Sequence, residues 1–325
     1  MQLTISVAEA LKGLEGVTVT AEDFETDYGA AFAEYPEPAE DAEVIEGDTL
    51  LARPVPQLQT SGFTHFADGA QFSRGAFYER GLPGRYAFMN AAVAVRKDRE
   101  IMEMVAEASS RGIFAPWGRA VVALQNAGFE VHPVAVDLTD GMGAMAQKVA
   151  DAVSAERNRL EHKTCVEWLA SGNEGVLLVD GSIGQLINAV KGPANIVGLV
   201  KSHRKQYFTA ATAATVLGLK EAERTSVFVV PSRRDQDSPT HSWYLRLRTD
   251  PYKNPAFGLV RVELPPADDT ATVADRTSGW ILAERAPLSL PDLRFDRLLY
   301  PIRAVELLLK AQHPSRYAVQ SVIGF

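Results

Sequence analysis

The chain has 325 residues, 46% of them apolar and 23% charged, an ordinary globular composition that excludes disorder throughout and supplies a large core. Its net charge of −8 speaks at first against a nucleic-acid partner, because such proteins present a basic footprint. The single cysteine, Cys165, excludes an internal disulfide, no Cys/His cluster has structural-zinc spacing, and no apolar stretch approaches the ~18 residues of a membrane span, so a cytoplasmic protein without membrane association is expected.

In chain order the first feature is acidic. Residues 21–48 hold 11 acids and no Lys or Arg, which leaves +3 for the other 297 residues. This reads as an acidic N-terminal segment within residues 1–50, either a solvated arm or a docking element for a basic partner, ahead of one domain over 51–325. Next, 64–73 and 85–97 read as paired strands separated by Gly and Pro turn signals, and 98–110 as a helix. Residues 118–128 look helical and 129–137 strand-like, before the longest helical pattern at 143–171, closed by Ser171-Gly172-Asn173. Residues 175–182, GVLLVDGS, form a continuous apolar run of the kind buried on both faces of a sheet. Strands follow at 195–202, 225–231, 241–248 and 257–264, with helices near 207–217, 270–286 and 301–312. Hairpin-like strands early and a strand between helices in the middle predict an α/β domain around a mixed central sheet flanked by helices.

Two apolar strands end in the same way, Ala67-Asp68-Gly69 and Val179-Asp180-Gly181. An Asp followed by Gly at a strand end leaves a carboxylate at the rim of the sheet, although each Asp-Gly alone is also a common turn. With a carboxylate from the long helix between them they become a candidate site for a divalent cation, since hard cations take oxygen ligands from several elements. Glu161 is the better choice on that helix: it shares a face with Cys165 and Trp168, whereas Glu167 follows Lys163 at the spacing of an exposed ion pair. A charge on a buried face is costly unless a cation or Arg157, one turn back, compensates it; an Arg157–Glu161 helix pair and nothing more is the structural alternative.

Positive charge gathers late, in Lys201-Ser-His203-Arg204-Lys205, in Arg233 and Arg234, in Arg246 and Arg248, and in Arg294, Arg297, Arg303, Lys310 and Arg316. Lys201, at a predicted strand end, suits contact with a scissile phosphate, and His203, Arg204 and Lys205 would reach its neighbours; a solvated basic turn is the alternative. The remaining histidines and Cys165 read as structural.

The order of these elements, an early Asp-Gly strand, a long helix with Arg157-x-x-x-Glu161, VLLVDGS, then Gly198-Leu-Val-Lys201, resembles the NurA family of DNA-end-processing nucleases over about residues 60–312. The resemblance implies an RNase H-like fold with catalytic Mn²⁺ or Mg²⁺, one or two ions, on Asp68, Glu161 and Asp180. It also implies 5′–3′ exonuclease and single-strand endonuclease activity on single- and double-stranded DNA ends, in repair or anti-phage defence, a homodimer, and a HerA-type hexameric ATPase as partner. Tyr244 is a counterpart of a family tyrosine. The chain departs from the family at its C-terminus, where Tyr300-Pro301 is present but the following Ala-His pair is not, leaving Glu306 or His313 as substitutes. Two other classes stay open: a different RNase H-like nuclease, of Piwi or resolvase type, and a catalytically degenerate adaptor that binds DNA for a translocase.

Overall fold

The computed structural model describes residues 5–19, 40–97, 101–137, 139–189, 195–202, 205–232, 238–250, 255–286 and 295–324. Helix α1 (Val7–Ala10) and strands β1 (Val17–Val19) and β2 (Ala52–Pro54) precede three long strands, β3 (His65–Glu79), β4 (Leu82–Lys97) and β5 (Ile101–Pro116). Then come α2 (Arg119–Asn126), β6 (Val131–Val134), α3 (Met142–Ala170), β7 (Leu177–Asp180), α4 (Gly184–Ala189) and β8 (Ile196–Val200). The last part holds α5 (Ala210–Leu217), β9 (Glu223–Thr225), β10 (Phe228–Val230), β11 (Thr240–Arg246), β12 (Leu259–Leu264), α6 (Thr270–Ala283), α7 (Tyr300–Ala311) and α8 (Arg316–Ile323).

The expected α/β class with a mixed sheet is what forms. One sheet runs β2-β9-β11-β12-β8-β7-β3-β4-β5-β6, with β1 added to the far end of β3 and β10 to β11. The contacts β3–β7, β7–β8 and β5–β6 are parallel and the rest antiparallel. β7 sits at the centre with both edges paired and both faces covered, as its unbroken apolar run requires. On one face α6 and α7 bury Ile281, Ile302, Val305 and Leu309 against Phe66, Leu178, Leu199 and Val262. On the other, α3 lays Val149, Val153 and Leu160 on Ala87, Met89 and Ala91, and Cys165 and Trp168 on Ala67 and Val179.

The helix expected at 98–110 is instead β5, although Met, Glu and Ala favour helices. From Met102 to Arg111 half-buried and exposed residues alternate, and β4 offers a partner along almost the whole length. Side-chain packing on that long partner outweighs the local preference. At ~3.4 Å per residue, β3, β4 and β5 each span roughly 50 Å, and β6 covers β5 only from Ile113 to Pro116.

The described flanks of the acidic segment are built into the fold. β1 pairs with β3, the Ile45 N–H donates to the Val227 carbonyl, and Glu46 holds the buried Arg224 through both terminal guanidinium nitrogens. At the far end of the long strands α1 and α8 close the same small core: Val7 and Leu11 meet Val319 and Ile323 beside Phe77 and Ile113.

Candidate carboxylate site

Two parallel strands bring the first two carboxylates together. Ala67 on β3 lies opposite Val179 on β7, so the next residues in register are Asp68 and Asp180. β7 stops at Asp180, where Gly181 takes a φ of 141° that other residues rarely adopt and turns the chain away. Asp180 therefore stands at a strand exit, as expected. Asp68 does not: β3 continues through it to Glu79, and Gly69 is extended strand rather than a turn.

Gly69 is needed for another reason. A Cβ there would stand 2.2 Å from Glu161 Oε1, so the missing side chain makes the notch in which the α3 carboxylate rests. Strand alternation puts Asp68 on the α7 side of the sheet and Gly69 on the α3 side, so Glu161 approaches from the opposite face. Arg157 pairs with Glu161 at 2.5 Å and also donates to the Gly69 carbonyl at 3.4 Å. Lys163 and Glu167, 3.8 Å apart and half-exposed, form the predicted surface pair.

The electrostatics follow from this crowding. Asp68 is only 7% exposed and accepts a hydrogen bond from the Gly69 N–H at 2.8 Å. Burial first, then the charges of Asp180, Glu161 and Glu306, push its carboxyl well above the ordinary range, with Lys201 opposing them. Burial also lifts Glu161 to about 7, against the pull of Arg157 and with the push of Asp180. Lys201, just past the end of β8, donates to Asp180 Oδ2 at 2.9 Å, and its own carbonyl accepts from Arg297 at 2.9 Å. Acidic oxygens thus outnumber nearby cations in a mostly buried space. That hard-oxygen donor set suits Mn²⁺ or Mg²⁺. Among the described residues no three His, Cys, Asp or Glu side chains already stand in a ligand array, so Asp68 and Asp180 are the neighbouring pair and Glu161 adjoins them across Gly69.

Other expected residues go elsewhere. His203, Arg204, Arg233, Arg234, Arg294 and residues 21–39 lie outside the described residues. Arg246 is not on a basic surface: it is buried and donates to the carbonyls of Leu217, Leu219, Pro255 and Phe257. Tyr244 is 6% exposed, stacks on Phe228, and lines a cavity of about 90 Å³ with Lys205, Tyr207 and Phe208. A larger open groove of about 710 Å³ beside β5, lined by Arg111, His132, Glu156 and Arg159, holds none of the predicted carboxylates. His65 packs on Trp168, and Cys165 is buried in the core. Of the two C-terminal substitutes, Glu306 acts on Asp68 electrostatically and pairs with Lys310 at 2.8 Å. His313 instead meets Asn90 Oδ1 at 3.3 Å and packs against the rings of Phe72 and Phe88.

Sequence reasoning missed Glu263 and Arg261. They alternate inside a strand that otherwise reads as apolar, and no motif marks them. Glu263 is buried, pairs with Arg261 at 2.6 Å and accepts from Ser182 Oγ and the Ile183 N–H, the two residues after the Asp180-Gly181 turn. No protein-family model matches the chain, and the search of curated proteins likewise finds no match.

Proposed function

We propose that this protein is a metal-dependent deoxyribonuclease with an RNase H-like core, acting on single- and double-stranded DNA ends as the NurA resemblance implies. One observation supports the reading above the others: β7 ends at Asp180 alongside Asp68 of the parallel strand β3, with Glu161 adjoining and Lys201 beside them, in a space carrying more acid than base. Asp180 thus stands at the carboxyl end of a parallel strand, where open α/β sheets place their ligands.

Asp68, Asp180 and Glu161 would hold one or two Mn²⁺ or Mg²⁺ ions. Bound there, the metal supplies a water of lowered pKa and charge neutralisation at phosphorus. Lys201 has a partner in Asp180; once that carboxylate is engaged, its ammonium is available to contact a non-bridging phosphate oxygen and the charge that grows on it. Arg157 orients Glu161 through their ion pair. Digestion with 5′–3′ polarity, single-strand endonuclease activity, a homodimer and a HerA-type hexameric ATPase belong to the same proposal and rest on the resemblance alone.

The test is Mn²⁺-dependent cleavage of labelled single- and double-stranded DNA by wild type beside Asp68→Ala and Asp180→Ala. Each variant is expected to lose at least ~100-fold of the rate, the scale of removing transition-state charge stabilisation. Cleavage retained by both sinks the site. No cleavage by wild type, with or without the ATPase, favours the adaptor instead.

A further inference from the structure

We infer that Glu263 on β12 is a positioning residue for Asp180, an inference that rests on the metal-site reading above. Across three adjacent strands Glu263 lies opposite Gly198 and Gly198 opposite Val179, which puts the Glu263 side chain beneath the turn that follows β7. Its carboxylate is 1% exposed. Oε2 accepts from Ser182 Oγ at 2.8 Å and from the Ile183 N–H at 2.9 Å, while Oε1 accepts from Arg261 at 2.6 Å. Arg261 is itself confined, donating to Ser242 Oγ at 3.0 Å with its guanidinium 5.0 Å from the Tyr207 ring centre. Glu263 therefore has a single available orientation.

The turn is gripped from a second side. Gly198 lacks the Cβ that would stand 2.7 Å from the Gly181 carbonyl oxygen and 3.0 Å from Ile183 Cγ2, so the turn lies directly on β8. A buried ion pair is a poor source of stability, since apolar residues of similar volume serve as well or better. Glu263 supplies direction instead, through two hydrogen bonds to the residues that follow Gly181. Gly181 takes a conformation open mainly to glycine, and these hydrogen bonds fix the course of the chain directly after it. Held in this way, the Asp180 carboxylate stays in register with Asp68 and within reach of Lys201.

The experiment uses the full chain and titrates Mn²⁺ while free Mn²⁺ is read from its paramagnetic resonance signal, with Mn²⁺-dependent cleavage measured in parallel. Glu263→Gln and Gly198→Ala disturb the turn from its two sides and are each expected to weaken Mn²⁺ binding at least ~10-fold, the usual effect of losing the partner that orients a ligand. The half-saturating Mn²⁺ for cleavage should rise in step. Ser182→Ala keeps the Ile183 hydrogen bond and should lose less. A purely structural role would lower the number of sites at every Mn²⁺ concentration and leave their affinity alone. Wild-type affinity in Gly198→Ala and Ser182→Ala, with affinity lost in Asp180→Ala, overturns the positioning role, and these two variants decide the matter if Glu263→Gln does not fold. Wild-type affinity in Asp180→Ala overturns the metal site itself.

Discussion

Glu161 couples the fold to pH. Its carboxyl is raised to about 7 by burial, so between the ordinary carboxylate range and pH 7 the folded protein keeps a proton that the unfolded chain has released. Stability of the metal-free protein must then fall as pH rises through that window and level off above it. Asp68, also raised by burial, acts in the same direction. Glu161→Gln should flatten the profile and be the more stable form at pH 8 by on the order of 2–3 kcal/mol, measured by urea unfolding at pH 5 and 8. A wild-type profile that is flat from pH 5 to 8 would mean that Glu161 is already ionised in the fold. Gly69 gives a second test at this scale. The methyl group introduced by Gly69→Ala would run into the Glu161 side chain from Cγ to Oε1, so a loss of about 1–3 kcal/mol is expected with Glu161 displaced from its notch. Denaturation beside a Mn²⁺ titration should show the larger effect on binding.

Among the elements, α7 has its C-terminal end tied to the sheet by the Asn90 side chain. Asn90 Nδ2 donates to the Leu309 carbonyl and to Gln312 Oε1, both at 2.9 Å, which gives a last-turn carbonyl a second donor beside the Gln312 N–H. Asn90→Ala should cost about 1–3 kcal/mol and loosen the end of the helix that brings Glu306 toward Asp68, measurable by chemical denaturation and amide exchange over 305–311. The elements legible in the sequence were those whose local pattern and tertiary setting agree: α3 by its long period, β7 by its unbroken apolar run, α6 and α7 within a few residues of their ends. β5 was not, because its Met, Glu and Ala residues prefer a helix in isolation and only the presence of β4 makes a strand. The Asp180 turn was legible from Asp-Gly-Ser. The same dipeptide at Asp68-Gly69 misled, since that glycine answers a side chain 92 residues away in sequence, at Glu161.

For the whole molecule, the net charge of −8 conceals two uses of acid. Some carboxylates crowd the site; others at the end of the acidic segment serve as anchors. Asp41 accepts from the Thr209 N–H, and Glu46 grips Arg224, which is 1% exposed and also pairs with Asp275. Removing one partner from a buried ion pair leaves the other charge uncompensated. Because Arg224 keeps Asp275, Glu46→Ala should cost less than that full penalty, about 1–3 kcal/mol, read from its unfolding midpoint. Deleting 21–48 should destabilise the domain, whereas deleting 21–39 leaves both anchors in place. Composition could not separate these uses, because a net charge counts Asp and Glu alike, and only Arg224, nearly 180 residues after Glu46, marks the anchor.

The joint core under α1 and α8 has a kinetic consequence. A Cβ on Gly324 would stand 2.6 Å from that of Ala8, so the two ends of the described chain are in van der Waals contact and close the polypeptide into a ring without a covalent link. Neither helix can detach without uncovering the apolar side of the other. Their amide protons should exchange with solvent together, at one common rate, although they lie at opposite ends of the sequence.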